Sequence, residues 1–117
     1  MGNNIIDQSH ALYESTIETV ATTLNITGVD GNLENHFISV RYYADAAGAA
    51  TATPGAGTVV ITGLDEASNQ QTLTAAGLDC TDVTDKESIN GNITGVRAVP
   101  TGITTATHWQ LFSSSNL

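Results

Sequence analysis

The first residues that could do chemistry are the acids of segment 79–87, which reads Asp79-Cys80-Thr81-Asp82-Val83-Thr84-Asp85-Lys86-Glu87. Carboxylate oxygens are the ligands that Ca²⁺ prefers in proteins. A calcium-binding loop, however, places acids at alternate positions around a glycine, whereas these acids are spaced by three and the segment has no glycine. In an extended chain Asp79 and Asp82 would also face opposite sides. We therefore interpret the segment as a solvated acidic loop that holds no metal ion.

A zinc centre is the second candidate, because the chain has three histidines, His10, His36 and His108. One zinc site would need all three imidazoles to converge. His36 and His108 could meet only if their predicted strands pair. Independent histidines at strand edges are the simpler interpretation, so we predict no metal site.

Nucleophilic catalysis has little support in this sequence. Cys80 is the only cysteine, so no internal disulfide is possible, and its acidic neighbours disfavour a thiolate. The sequence has no Gly-x-Ser-x-Gly elbow, no phosphate-binding glycine loop and no His-Glu-x-x-His helix. We expect no catalytic residue, no cofactor and no enzymatic activity.

Aromatic side chains offer a further site. Tyr42, Tyr43 and Trp109 could form a platform on which a sugar ring stacks. Trp109 alternates with Leu111, which predicts a core position for it, so Tyr43 is the better exposed candidate. Glycan binding therefore stays open as an alternative.

Charge excludes several classes of partner. The chain has 12 acidic and 3 basic residues and a net charge of −9. Nothing could neutralise a run of phosphates or attract an anionic membrane, and no stretch approaches the roughly 20 apolar residues of a membrane span. We expect neither a nucleic acid nor a membrane as partner. The acidity either favours a basic protein surface or serves only to keep the domain soluble.

The elements that must position these residues are short strands of one domain. With 117 residues, 40% hydrophobic and only 5% aromatic, the chain can form one thin aliphatic core, whose stability we expect to depend on self-association or docking. Alternating β-branched residues and frequent turn signals predict an all-β sandwich or an incomplete barrel. The main strands are expected near 36–44, 58–63, 93–99 and 107–113. The side chains expected in the core are Val40, Ile61, Val96, Val99 and Leu111.

Other segments are less regular. Residues 16–27 fit a strand with Val20, Thr22, Leu24 and Ile26 on its inner face. A helical stripe competes, but the β-branched residues favour the strand. Residues 45–57 form a loop of Ala, Gly, Thr and Pro, flexible or lying on a neighbour. Residues 79–92 are expected to be a polar connection. Pro100 is expected to end the strand that precedes it. Ser113 to Asn116 are expected to form a polar tail.

We predict two parts of unequal size. Residues 1–15 are polar and aperiodic, and form an extended N-terminal arm that adds to an adjacent subunit as a strand. Residues 16–117 form the β-sandwich domain.

Three stretches carry a family resemblance. Val40 to Ala49 continues into Pro54 to Ile61, and the later stretch runs from Gly91 to Trp109. Their order of strands and turns resembles that of small Ala/Gly/Thr-rich virion structural proteins of tailed bacteriophages. The resemblance covers about half of the chain and transfers no functional residue.

This resemblance implies a role in the virion, after synthesis in the host cytoplasm. We expect a capsid decoration (cement) protein that docks on the major capsid protein as a homo-oligomer, with a trimer favoured. The alternative is a head-fibre or tail accessory module that binds a cell-surface glycan or receptor.

Overall fold

A computed structural model describes residues 10–65, 70–72, 78–79 and 82–117, with the side chains of 70–72 and 78–79 excepted. This part of the chain contains strands and loops but no helix, and hence no helix able to cross a membrane. The ten strands are β1 His10–Glu14, β2 Glu18–Thr19, β3 Leu24–Thr27, β4 Asn35–Tyr43, β5 Thr58–Leu64, β6 Gln70–Thr72, β7 Leu78–Asp79, β8 Thr84–Asn90, β9 Gly95–Thr101 and β10 His108–Asn116.

The strands form two antiparallel sheets, which confirms the predicted β-sandwich. The first sheet has the order β1-β10-β4-β8, and β2 also pairs with β10. The second has the order β3-β9-β5-β6, and β7 also pairs with β5. The longest ladder joins β4 to β10 over nine residue pairs, from His108 opposite Tyr43 to Asn116 opposite Asn35.

The core lies between the two sheets and consists mainly of aliphatic side chains. Tyr42 and Trp109 stack inside it, with ring centroids 6.2 Å apart and planes 15° from parallel. The buried aliphatic residues that surround them include Leu24, Ile26, Ile38, Val40, Val59, Ile61, Ile89, Ile93, Val96 and Leu111.

Val99 and Pro100 correct the prediction for β9. Val96 and Ala98 point into the core, so alternation turns Val99 outward, where it is 37% exposed instead of buried. The strand also continues through Pro100 to Thr101. A proline is tolerated there because the pairing of β3 with β9 reaches only to Ala98.

Two segments expected to be irregular are strands. Within 79–92, Thr84–Asn90 forms β8, which pairs with β4 at an edge of the first sheet. The predicted tail Ser113 to Asn116 is the end of β10. Charged and small polar residues have low strand propensity, but pairing with β4 supplies their backbone partners. Charged side chains also protect a sheet edge from further pairing.

Residues 16–27 contain two short strands rather than one. Leu24 and Ile26 of β3 are buried, as predicted. Between β2 and β3 the chain turns, with the amide of Thr22 donating to the carbonyl of Thr19 at 2.9 Å. Thr22 therefore lies exposed instead of on the inner face.

The predicted N-terminal arm is extended where the structure describes it, but it lies on its own domain. Residues 10–14 form β1, paired with β10 of the same chain. The Tyr13 hydroxyl accepts a hydrogen bond from the amide of Asp30 at 2.8 Å. The edge of β10 offers unpaired backbone groups, and the nearest segment fills it. Residues 1–9 lie outside the described residues.

Alternation along β9 can be tested with a matched pair of substitutions. Val96→Ala should destabilise the domain by about 2 kcal/mol, because it removes fully buried methyl groups, whereas Val99→Ala should cost less than about 1 kcal/mol. Both variants lose the same strand propensity, so urea unfolding isolates the burial difference. Equal losses would contradict the outward position of Val99.

Candidate functional site

The predicted aromatic platform is absent from the surface. Tyr42 and Trp109 are fully buried, and Tyr43, expected to be exposed, is only 5% exposed. The loop after β4 covers Tyr43, since a β-carbon placed on Gly48 would lie 3.5 Å from the Tyr43 ring. The Tyr43 hydroxyl donates to Oε1 of Gln110 at 3.1 Å. Tyr42 and Trp109 pack in the core and Tyr43 lies under the loop, so none of the three rings offers a face to a sugar.

The histidines do not converge. His36 and His108 lie on paired strands, but His36 is opposite Ser115 and His108 is opposite Tyr43, at the two ends of the ladder. About seven residues of strand, roughly 24 Å, separate them. His36 is buried, with Nδ1 2.6 Å from the Ser115 hydroxyl and Nε2 2.9 Å from the Gly91 carbonyl. Because a carbonyl only accepts, Nε2 carries the proton, and His36 ties β4 to β10 and to the turn after β8.

The acidic run is divided between surface and core. Asp82 is exposed, whereas Asp85 points inward and accepts a hydrogen bond from the Tyr42 hydroxyl at 2.8 Å. Cys80 and Thr81 lie outside the described residues. In the part of the chain that the structure covers, no group of three or more His, Cys, Asp or Glu side chains could hold a metal ion.

The loop after β4 is organised by one carboxylate. Asp45 Oδ1 accepts from the amides of Ala47 at 2.9 Å and Ala49 at 3.0 Å, and Oδ2 accepts from Ala50 at 3.0 Å. These bonds, those from Ala49 and Ala50 foremost, hold the pKa of Asp45 below its usual value. The first half of the loop is therefore preformed.

The second half is fixed to the loop before β10. The carbonyl of buried Pro54 accepts from the amides of Thr104 at 3.1 Å and Thr105 at 2.9 Å. Gly57, at φ 103°, leaves no room for a β-carbon, which would collide with the Thr101 carbonyl. The loop after β4 and the loop before β10 thus form a flat surface with little side-chain bulk at one end of the sandwich.

The side of the first sheet that faces away from the core, here called the outer face, is the most apolar exposed surface described. Leu12 is 79% exposed and Phe37 is 56% exposed. Two neighbouring rows cross its four strands from β1 to β8, in the order Leu12, Ser114, Phe37, Ser88 and in the order Glu14, Phe112, Ser39, Lys86.

These rows make a groove with bulky walls and a serine floor. The groove has a volume of about 800 Å³ and an open side. Arg41, in the next row, lies with its guanidinium carbon 5.9 Å from the centre of the Phe112 ring, within range of a cation–π interaction. Phe37 and Arg41 lie an odd number of residues from Val40, which is predicted to be in the core, so alternation along β4 by itself indicates that both point away from the core. The groove itself follows only from the pairing of four strands.

The outer face also differs in charge from the rest of the chain. It carries two of the three cations, Arg41 and Lys86, and one carboxylate, Glu14, which gives a net charge of +1. Since the whole chain has −9, all other residues together carry −10. A nearly neutral, apolar face therefore lies on a strongly acidic domain.

The chain belongs to the family described as a domain of unknown function, DUF7265, whose model matches residues 8–117. A search of curated proteins found no match.

Several solved structures are similar to this one at low sequence identity. A Bacillus endospore appendage, described as a disulfide-linked pilus, is 12% identical, with a TM-score of 0.46 over 93% of this chain and 89% of the other. The Clostridium perfringens protein CpGH89CBM32-4 is 9% identical, with a TM-score of 0.49 over 92% and 94%. A chain of the acid-stable capsid of Helicobacter pylori bacteriophage KHP30 is 8% identical, with a TM-score of 0.42 over 92% and 87%. The assignment of a β-sandwich therefore depends on the strand pairing of this chain itself.

The lowered pKa of Asp45 predicts how its loop responds to acid. The folded state favours the charged carboxylate, so the contribution to loop stability is complete above the usual pKa of 3.8 and is lost as the pH falls through the lowered pKa. In an NMR titration, the Asp45 carboxyl should have its midpoint below 3.8, and the amide signals of Ala49 and Ala50 should move with it. In Asp45→Asn, which keeps one acceptor oxygen but no charge, that step should disappear. A midpoint at or above 3.8 would show that the amides do not hold this carboxylate.

Proposed function

We propose that this chain is a non-enzymatic structural protein of a tailed-phage virion, which docks as a homo-oligomer on the major capsid protein and stabilises the shell. The observation that carries the proposal is the position of the two phenylalanines. The chain has only two, Phe37 and Phe112, and both lie on the outer face. A small domain with a thin core gains from burying such rings, so one exposed and one half-buried phenylalanine on the same face indicate a surface that another protein covers.

The outer face has the chemistry of a protein contact. Covering Leu12 and Phe37 removes apolar area from water at roughly 25 cal/mol per Å². Between the large side chains lie Ser39, Ser88 and Ser114, which are small and neutral, so a partner can approach closely at a low desolvation cost.

The loop end of the sandwich supports a second contact. Asp45 and Pro54 constrain residues 44–57 by accepting hydrogen bonds from backbone amides, the Asp45 carboxylate within the loop and the Pro54 carbonyl from residues 104–105. A preformed loop does not have to be ordered when it binds, which lowers the entropic cost of docking. Its small side chains can lie against a flat neighbouring surface.

Electrostatics favours a basic docking surface on the capsid. The charge of −10 outside the outer face would speed association with a positive partner, and this effect weakens as salt screens it. The sequence resemblance to phage virion proteins points to the same setting.

We infer no catalytic role because the buried polar groups serve the fold. His36 bonds Ser115 and Gly91, and Asp85 accepts from Tyr42. Each of these contacts joins two strands, or a strand and a turn, and none opens onto the groove.

Glycan binding is the second candidate function. The groove of about 800 Å³ favours it, because its volume falls within the usual range for small ligands and its floor carries hydroxyl groups. Phe37, rather than the buried Tyr43, would stack on the sugar.

The structural role can be tested on particles that lack this protein. They should lose DNA or break at a lower temperature than complete particles, and adding the purified chain back should restore the difference. Added protein should bind less as salt increases, because screening weakens the attraction of an acidic domain to a basic shell. Heat resistance that is equal with and without the protein would reject the cement role.

A further inference from the structure

We propose that the outer face binds the outer face of a second copy of this chain, with a two-fold axis parallel to the strands. This contact identifies one interface within the proposed homo-oligomer. The dimer depends only on the surface of this domain and can be tested without phage particles. A negative result for the dimer would therefore not decide whether the chain docks on a capsid.

The axis follows from how a two-fold rotation acts on four strands. The axis lies between the two copies, parallel to the strands and over the midline between β10 and β4. A rotation of 180° about it exchanges the two edges of the sheet. In the pair, β1 then faces β8 of the partner subunit, and β10 faces the partner's β4. Each row of side chains meets the same row, reversed. The strands of the two copies stay aligned, as in common sheet-on-sheet packing.

Reversal turns both rows into complementary surfaces of large and small side chains. Every bulky apolar residue of the two rows meets a serine of the partner. The three contacts, each made twice in the pair, are Leu12 with the partner's Ser88, Phe37 with the partner's Ser114, and Phe112 with the partner's Ser39. Close packing of this kind is what distinguishes a specific interface from a merely apolar one.

The charges of the second row agree with the same axis. Glu14 lies on β1 and Lys86 on β8, at opposite ends of the row. After reversal, Glu14 of each copy faces Lys86 of the partner subunit, so the pair has two ion pairs and no like charges opposed. An axis perpendicular to the strands, midway between the rows, would instead place Leu12 opposite the partner's Glu14. The acidic charge outside the outer face disfavours contacts between the other surfaces of two copies.

The area of the outer face limits the affinity. The face is four strands wide, at about 4.8 Å per strand, and roughly seven residues long, at about 3.4 Å per residue. Its area is therefore on the order of 450 Å². A standard interface buries about 800 Å² per partner. We therefore expect a dissociation constant in the micromolar range in solution, strengthened when copies are held together on a lattice.

Charge reversal gives the sharpest test, with sedimentation velocity of the purified chain at increasing concentration. Glu14→Lys and Lys86→Glu should each weaken the dimer at least several-fold, because each opposes like charges twice. The double variant should recover most of the affinity. A chain that stays monomeric up to several hundred micromolar, or that forms trimers through this face, would overturn the proposal. So would single variants without effect, or a double variant without recovery.

Size exchange provides an independent test. Phe37→Ser should weaken the dimer at least tenfold, and Ser114→Phe should block it by filling the space that the ring occupies. Combining the two restores a large side chain opposite a small one and should restore association. Val99→Ser, an exposed apolar change on the second sheet, is the matched control and should leave the dimer unchanged. Circular dichroism checks that each variant is folded. If Phe37→Ser abolished binding to a glycan array while the wild-type chain stayed monomeric, the face would be a glycan site instead.

Discussion

The ladder between β4 and β10 is the interaction on which the rest of the structure depends. Its nine residue pairs fix which side chains of both strands point inward. On the inner side it brings Tyr42 and Trp109 together inside the core. On the outer side the same register sets exposed Phe37 beside half-buried Ser114. A slip of one residue would exchange the two faces and destroy core and surface together.

The end of this ladder at which Asn116 lies opposite Asn35 is held by polar contacts instead of apolar ones. Ser113 and Ser115 point inward, where hydrophobic residues would be expected. Ser115 bonds His36, which compensates for its burial. The hydroxyl of Ser113 has no hydrogen-bond partner among the described residues, and leaving it unpaired costs about 1–3 kcal/mol. The alternation of β10 persists through this region because β1 and β4 pair with it on both sides.

The sequence predicts the fold well where alternation is carried by apolar residues, and poorly where pairing decides. Val40, Ile61, Val96 and Leu111 were correctly placed in the core. By contrast, β8 is so polar that its own residue propensities do not indicate a strand. It is a strand because it pairs with β4. The outer face shows the same limit. Phe37 could be placed outside from β4 alone, but the rows combine residues from four strands, and no local pattern predicts their register.

Assembly and stability are connected through β1. This strand is at the edge of the first sheet, and its inward contacts come mainly from Tyr13, since Leu12 and Glu14 point outward. An edge strand with few buried contacts belongs to the part of a domain that opens most easily. A second copy on the outer face would cover Leu12 and form an ion pair with Glu14. These contacts would favour the state in which β1 is paired with β10. Binding that favours the closed strand stabilises the fold by mass action, which is how a domain with a thin core gains stability from its neighbours.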